Sequence, residues 1–587
     1  MKLNFSHCLL ALSLLIAPAI MAKQTTHTNK HHTAKKELVN ITVTGVKDDT
    51  IMKNIDSAVK NIKAIHLTKP MNDDSIYNIY HDIPGSIKKA LQPYGYFNSK
   101  VESSFKDVHG YWYMTFTVQE GVRSTVSAVN IKVIGSANSD KNFLKVVKHY
   151  PLKIGNYFEL TKYNDGNNLL FEHAANLGYF KAAMKTNKII VNLLNNTVKI
   201  DIIFDSGKRH WFGFTHFSKT PLNIKFLHKY MAYKEGDYYD NVLVQRTQNN
   251  LSDSNYFSQI IVSPEVAKTH NFITPMNIRL KMRKRKVYTF GLGYGTDTQV
   301  RGTVGFKYRW VNQWGHYFDS RFQGSYVNYG LVAAYHIPWP NPMKDLFSFR
   351  VGAGKLNLNR GKSNSKKVSI DYKHTYSHWA HTISFSWLDE RYDMQDLPKT
   401  RARLFYPSAN ISYYSTRNHI DPASGIRFTA DISGTPSALS TKSGFFQFKL
   451  ESKAVYTFFK HEMLAVRLAY GRTAIKNINN LPLSLQFLIG GSQTVRGYSY
   501  QSIGPGRQMI YGSGELRQRI WKELYLAGFY DFGNVTDQGL FNDLRSSVGP
   551  SILFRSPIGI IQLSVAWRLQ KDRKIKPRFI FSMGPEL

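Results

Sequence analysis

From Val287 to the C-terminus the apolar residues alternate instead of running together, and no other feature narrows the possible folds as far. Between Met463 and Tyr470, Leu464, Val466, Leu468 and Tyr470 fall on one side of an extended chain, and Ala465, Arg467 and Ala469 on the other. Successive strand side chains point to opposite faces, so the pattern describes a sheet with one apolar and one polar face. Ile561 to Leu569 repeats it, with Gln562 and Arg568 opposed to Ile561, Leu563, Val565 and Trp567. Similar segments, separated by Gly, Pro, Asn, Asp or Ser, fill 287–587. At roughly 19 residues per strand and turn this segment holds about 16 strands, an even number, as bacterial membrane barrels have. A soluble β-sandwich is the competing architecture.

The N-terminus decides between them. Lys2 supplies a positive start, Cys8 to Ile16 an apolar core, and Ala17-Pro18-Ala19 or Ala22 a small-residue cleavage site, which together describe an export signal over 1–22. Cys8 is the only cysteine and would leave with that peptide, so no disulfide or thiolate site is expected. Beyond it no run of about 18 apolar residues offers a helical span, whereas barrel strands need only about 10. The 36 Phe, 35 Tyr and 9 Trp suit strand faces and interfacial girdles. A formal charge of +37 would suggest nucleic acid in a cytoplasmic protein. In an exported chain, lipid headgroups and lipopolysaccharide are the expected polyanions, and no nucleic acid is.

After a flexible tail over 23–37, a unit recurs: a short strand, a helical stretch ending in an aromatic pair, then two strands. Gly95-Tyr96-Phe97, Gly178-Tyr179-Phe180 and Asn255-Tyr256-Phe257 anchor three copies, placed at 38–122, 123–208 and 209–286. The opening strands Ile41-Thr42-Val43-Thr44-Gly45 and Ile131-Lys132-Val133-Ile134-Gly135 match as well. The expected fold class is therefore α+β repeats followed by an all-β, 16-stranded antiparallel transmembrane barrel over 287–587. The aromatic anchors are expected to cap helices and fill cores, while an exposed sheet edge offers pairing to an extended client.

Thr494-Val495-Arg496-Gly497-Tyr498, Gly512-Ser513-Gly514-Glu515 and Phe529-Tyr530-Asp531-Phe532-Gly533 stand in the order found in the last strands of a known superfamily. In these motifs the chain resembles the outer-membrane insertases and two-partner secretion transporters that include BamA and TamA. Gly291-Leu292-Gly293-Tyr294-Gly295-Thr296-Asp297, Trp310 to His316 and the terminal Gly584-Pro585-Glu586-Leu587 resemble the TamA branch, with three periplasmic POTRA domains before a 16-stranded barrel. The resemblance implies a cell outer-membrane protein with its POTRA domains in the periplasm. It further implies that Arg496 lies on a loop folded into the lumen and pairs there with Asp531 and Glu515, beside Gly497 and Tyr498. Its implied partners are a TamB-like inner-membrane-anchored protein, unfolded outer-membrane protein or autotransporter clients, and outer-membrane lipids. Many barrels of this superfamily end on an aromatic residue; this one ends on Leu587.

No nucleophile with a base, paired carboxylates or metal-spaced cluster stands out among the 20 histidines, and His31-His32 fits a tail. A non-enzymatic machine without cofactor or metal is expected. Its working part would be a lateral seam between strands at about Val287–Asp297 and Lys574–Met583. Gly291, Gly293 and Gly295 strip one face of the first strand, Pro577 removes a ladder donor from the last, and Phe579 and Phe581 complete the seam. A weak seam exposes an edge on which client strands can add. Lys281, Arg283, Lys284, Arg285 and Lys286, just before the barrel, are expected at lipid headgroups. Rival readings are a two-partner secretion transporter, a BamA-type insertase, which would resemble a longer chain with five periplasmic domains, and a passive porin.

Overall fold

The computed structural model describes residues 38–66, 73–394, 398–416, 418, 422–459, 461–556, 559–569 and 576–584. The export signal, Cys8, His31-His32 and the terminal residues 585–587 lie outside the described residues. By contacts the chain forms two compact units. One comprises Met1–Ala174 and Lys181–Gly207, the other Ala175–Phe180 and Lys208–Leu587.

The first unit contains two three-stranded sheets. One is built from β1 (Val39–Thr44), β2 (Lys100–Val108) and β3 (Tyr111–Gln119); the other from β4 (Thr125–Ile134), β5 (Ala183–Asn192) and β6 (Thr197–Asp205). In each the last strand is central, parallel to the first and antiparallel to the second. Two helices cover each sheet: α1 (Asp49–His66) and α2 (Asp73–Leu91), then α3 (Lys141–Lys148) and α4 (Leu160–Asn176). Their apolar residues recur at helical spacing, as in Ile51, Ile55 and Val59 or Ile76, Ile79, Ile83 and Ile87, and these bury against Met114, Phe116 and Val118. Asp48 starts α1 by accepting from the Thr50 and Ile51 amides, which hold its carboxyl below the usual range.

The second unit begins with the same plan: β7 (Trp211–Phe217), α5 (Ile224–His228), α6 (Asn241–Asp253), β8 (Phe257–Pro264) and β9 (Ile273–Met282), with β9 central. The aromatic anchors explain the repeat. Gly95, Gly178 and Asn255 all have positive φ, at 91°, 84° and 63°, reversing the chain after a helix so that the next ring turns inward. Asparagine tolerates that left-handed region better than other side chains, which is why it can stand where the other copies have glycine.

Sixteen antiparallel strands follow, hydrogen-bonded in chain order from Lys286–Gly295 to Arg578–Gly584. The alternation sorts as the sequence implies: Leu464, Val466 and Leu468 are exposed on the outside, while Ala465 and Ala469 are buried within. On the first strand Phe290, Leu292 and Tyr294 are exposed, so the opposite face carries only Gly291, Gly293 and Gly295 over that stretch. The first and last strands stand at the two ends of the hydrogen-bonded order. Among the described residues no ladder joins them.

Pro577 does not act as the sequence reading expects. The last strand begins at Arg578, so Pro577 precedes the ladder and takes no donor from it. A break does occur nearby, between the fourteenth strand (Arg545–Ser556) and the fifteenth (Gly559–Arg568). There the pairs Val548↔Trp567 and Ser551↔Ser564 flank an unpaired step at Gly549 and Pro550. Pro550 lacks an amide hydrogen.

The third small sheet is welded to the barrel by the turn at 309–316. Trp310 joins the buried cluster of Phe212, Phe226, Tyr230 and Ile278. The Tyr256 hydroxyl donates to the Gly315 carbonyl at 2.6 Å, the Asn223 amide to the Gln313 carbonyl at 2.8 Å, and Lys229 Nζ to the Pro340 carbonyl at 2.9 Å. Burial pushes the Tyr256 phenol well above its ordinary range, keeping it a donor. Gly315 has φ +70°, and a Cβ there would lie 2.3 Å from Phe226 Cζ. Gly315→Ala is expected to cost about 2 kcal/mol of docking through overpacking. Faster trypsin cleavage at 283–286 in the folded protein checks it; unchanged cleavage would mean the contact holds nothing.

Candidate functional site

The chain between the eleventh and twelfth barrel strands, 475–507, turns back into the lumen. The first barrel strand leaves the third small domain, so this loop lies at the opposite end of the barrel from that domain. Phe487, Ile489, Val495, Tyr498 and Ile503 of the loop pack with Ala469, Met509, Tyr511 and Val535 of the wall. Farther back, Ile478, Leu481 and Leu483 pack against Leu388, Tyr392 and Leu404. The Ser484 amide and hydroxyl donate to the buried Glu390 carboxylate at 3.1 and 2.5 Å.

Three neighbouring strands present a row beneath the loop tip, because cross-strand register places Ser513 opposite Asp531 and Asp531 opposite Ser547. Arg496 docks on this row. Its Nε and Nη2 donate to the two oxygens of Asp531 at 2.9 and 2.7 Å, and its backbone amide to the same carboxylate at 3.0 Å. Nη1 donates to Glu515 Oε2 at 2.5 Å, and the guanidinium lies 3.4 Å from the Phe529 ring centroid. The planar fork matches both carboxylates, and the aromatic face takes the remaining surface of the cation. Asp531 is fully buried, and the side chains of Arg496 and Glu515 are 7% and 5% exposed.

The remainder of the tip is held as closely. The Gly497 amide donates to Ser547 Oγ at 3.1 Å, and its carbonyl accepts from Arg568 Nε at 2.7 Å. Tyr498 lies under the Arg568 guanidinium, 4.7 Å from it. Arg517 and Gln562 complete the shell of Glu515, at 2.7 and 2.8 Å. Sequence reasoning named Arg496, Gly497, Tyr498, Glu515 and Asp531; it placed Gln562 and Arg568 on the polar strand face without joining them to this network, and did not name Ser547 or Arg517. Strand parity was the available signal, since all four occupy inward positions.

At the junction of first and last strands, the Phe581 amide donates to Thr296 Oγ1 at 3.3 Å, and the Tyr294 and Phe581 rings are 6.4 Å apart. Gly295 faces the Phe581 carbonyl, Gly293 leaves room taken by the Arg301 side chain, and Gly291 looks onto Thr303. Phe579 is exposed on the outer face. The basic run before the barrel divides. Arg283 Nε donates to the Phe257 carbonyl at 2.6 Å, while Arg285 donates to the carbonyls of Trp310 and Val311 at 2.8 and 2.9 Å and stacks on Tyr308. Arg285 thus ties the third domain to the barrel, while the Arg283 bond stays within that domain; Lys281, Arg283, Lys284, Arg285 and Lys286 are all exposed. Among the described residues no cluster suited to a metal ion occurs.

Residues 289–586 match the Omp85 superfamily domain. The chain belongs to the Omp85 superfamily. Residues 40–120 match the POTRA domain described as TamA domain 1. Among curated proteins the Omp85 chain is 24% identical over 525 residues to the outer membrane protein assembly factor BamA of Nitratidesulfovibrio vulgaris, strain Hildenborough, covering 80% of this chain and 63% of that relative. It therefore spans less than two thirds of that relative's length. In fold it is similar to BamA from Haemophilus ducreyi lacking POTRA domains 1–3, with a TM-score of 0.67 at 16% identity, over 78% of this chain and 99% of that one. As an Omp85 protein it resides in the outer membrane, with POTRA domains in the periplasm and the apolar barrel face toward lipid.

Proposed function

We propose that this Omp85 protein is a TamA-type assembly factor. It promotes insertion or translocation of β-barrel proteins and autotransporters across a weak lateral seam between its first and last barrel strands. It performs no chemical step. The observation that carries the reading is the lack of a ladder between those strands among the described residues, with side-chain contacts in its place. An unpaired edge in hydrocarbon costs several kcal/mol per unsatisfied backbone group, so a client strand that supplies the missing bonds is favoured there. The POTRA domains, the first of TamA type, deliver clients and dock a TamB-like inner-membrane-anchored protein.

The test is reconstitution. Full-length protein in liposomes should speed the folding of an added urea-unfolded outer-membrane barrel about tenfold or more over empty liposomes, a lowering of the barrier by roughly 1.4 kcal/mol. No acceleration, together with steady ion conductance, would instead favour a passive pore. The BamA relative keeps a BamA-type insertase as a second reading. Affinity capture of the intact protein from envelopes separates the two: an elongated, envelope-spanning partner fits the TamA type, small lipoproteins the BamA type.

A further inference from the structure

We infer that Asp297 is the positioning residue through which the lumen loop holds the first and last strands together. This role rests on the seam reading above and adds its control. Asp297 follows the first strand by two residues, and its side chain is 8% exposed. Oδ2 accepts from the Ser492 amide at 2.6 Å, and Oδ1 from Arg578 Nη2 at 3.1 Å. Three remote pieces of chain therefore meet on one carboxylate: the end of the first strand, the tip of the lumen loop and the start of the last strand. Gly491, at φ +98°, makes the approach possible, since a Cβ there would fall 2.7 Å from Asp297 Oδ2.

Within a few residues the same loop tip grips the other side. Arg496 is bound to Asp531 on the thirteenth strand, and Gly497 to Ser547 on the fourteenth and Arg568 on the fifteenth. The loop thus spans the junction, meeting Asp297 at the end of the first strand and a dense set of bonds on the last strands. A largely buried carboxylate is costly without a donor. When Arg578 departs, the Ser492 amide still serves Asp297, so the last strand can part from the first without stranding the charge. The loop thus fixes where the first strand's end stays, and with it the carboxylate that holds Arg578 of the last strand.

The test uses the full-length protein in liposomes carrying spin labels at Tyr294→Cys and Phe581→Cys. Asp297→Asn and Arg578→Gln should each raise the population of long label–label distances about tenfold, the loss expected for a charged hydrogen bond. The double variant should open no further than either single one. Arg578→Gln should leave the loop resistant to trypsin at Arg496, a readout that general loosening of the barrel would not spare. Unchanged distances in both single variants overturn the inference, as do additive effects in the double variant. Client insertion is scored separately. A looser junction with unaltered insertion supports the Asp297 role and counts against insertion through the seam.

Discussion

Arg496→Gln is expected to free the lumen loop while the barrel remains folded. Asp531 and Glu515 are buried, and glutamine can satisfy neither charge nor reproduce the two-pronged contact. Breaking a buried ion pair by removing one partner costs about 3–5 kcal/mol, because the survivor stays buried without its counter-charge. Loop docking therefore shifts from nearly complete to largely lost. Trypsin should then cut at Arg507 and Lys476, which flank the loop, and the barrel should keep its folded mobility in unheated gels. Arg496→Lys should fall between, keeping the charge but losing the fork. Ser547→Ala should cost about 1–3 kcal/mol, since it removes a neutral donor from Asp531 and leaves the buried Gly497 amide without its acceptor. A loop as protected in Arg496→Gln as in the parent would mean that the apolar packing around Val495 and Tyr498 holds it unaided.

Locking the first strand to the last should abolish client assembly altogether. Cysteines at Tyr294 and Phe581, whose rings lie 6.4 Å apart, can be joined by a short reducible bifunctional linker. A covalent tie removes the open state at any client concentration, so the loss should be complete and not merely a slower rate. Reduction should restore the parent rate, which excludes damage from the substitutions. Full activity in the cross-linked form would require clients to enter without parting these strands. The same lock should leave the Arg496 network intact, because none of its bonds crosses to the first strand.

How far the sequence could be read differs between the parts of this site. Arg496, Glu515 and Asp531 were legible because their motifs stand in order along the chain, and the resemblance supplied the pairing that spacing alone could not. Arg568 was placed on the polar face but not joined to the network, and Ser547 was not named, because the register that aligns Ser513, Asp531 and Ser547 is a property of paired strands. Pro577 misled for a related reason. A proline near a strand reads as a lost donor, but whether it lies inside or before the ladder depends on where pairing begins, and it begins at Arg578. Pro550 had the stronger claim.

The basic run at Lys281–Lys286 has backbone partners that its charge alone does not reveal, although all five basic side chains are exposed. Arg283 turns to a backbone carbonyl of the third domain, and Arg285 to carbonyls of the turn between the second and third barrel strands, which need donors there.

By itself the amino-acid sequence determined the division into small α+β domains and a barrel, the strand number and the faces of the alternating segments. Those follow from periodicity, and periodicity is local: a period of two for strands, 3.6 for helices. Only the tertiary structure decided what meets at the junction of the first and last strands. Asp297, Ser492 and Arg578 are far apart along the chain, and no local pattern marks a carboxylate that will serve two remote donors. That meeting depends on closing the sheet around a loop folded inside it, so it exists only once the whole barrel has formed.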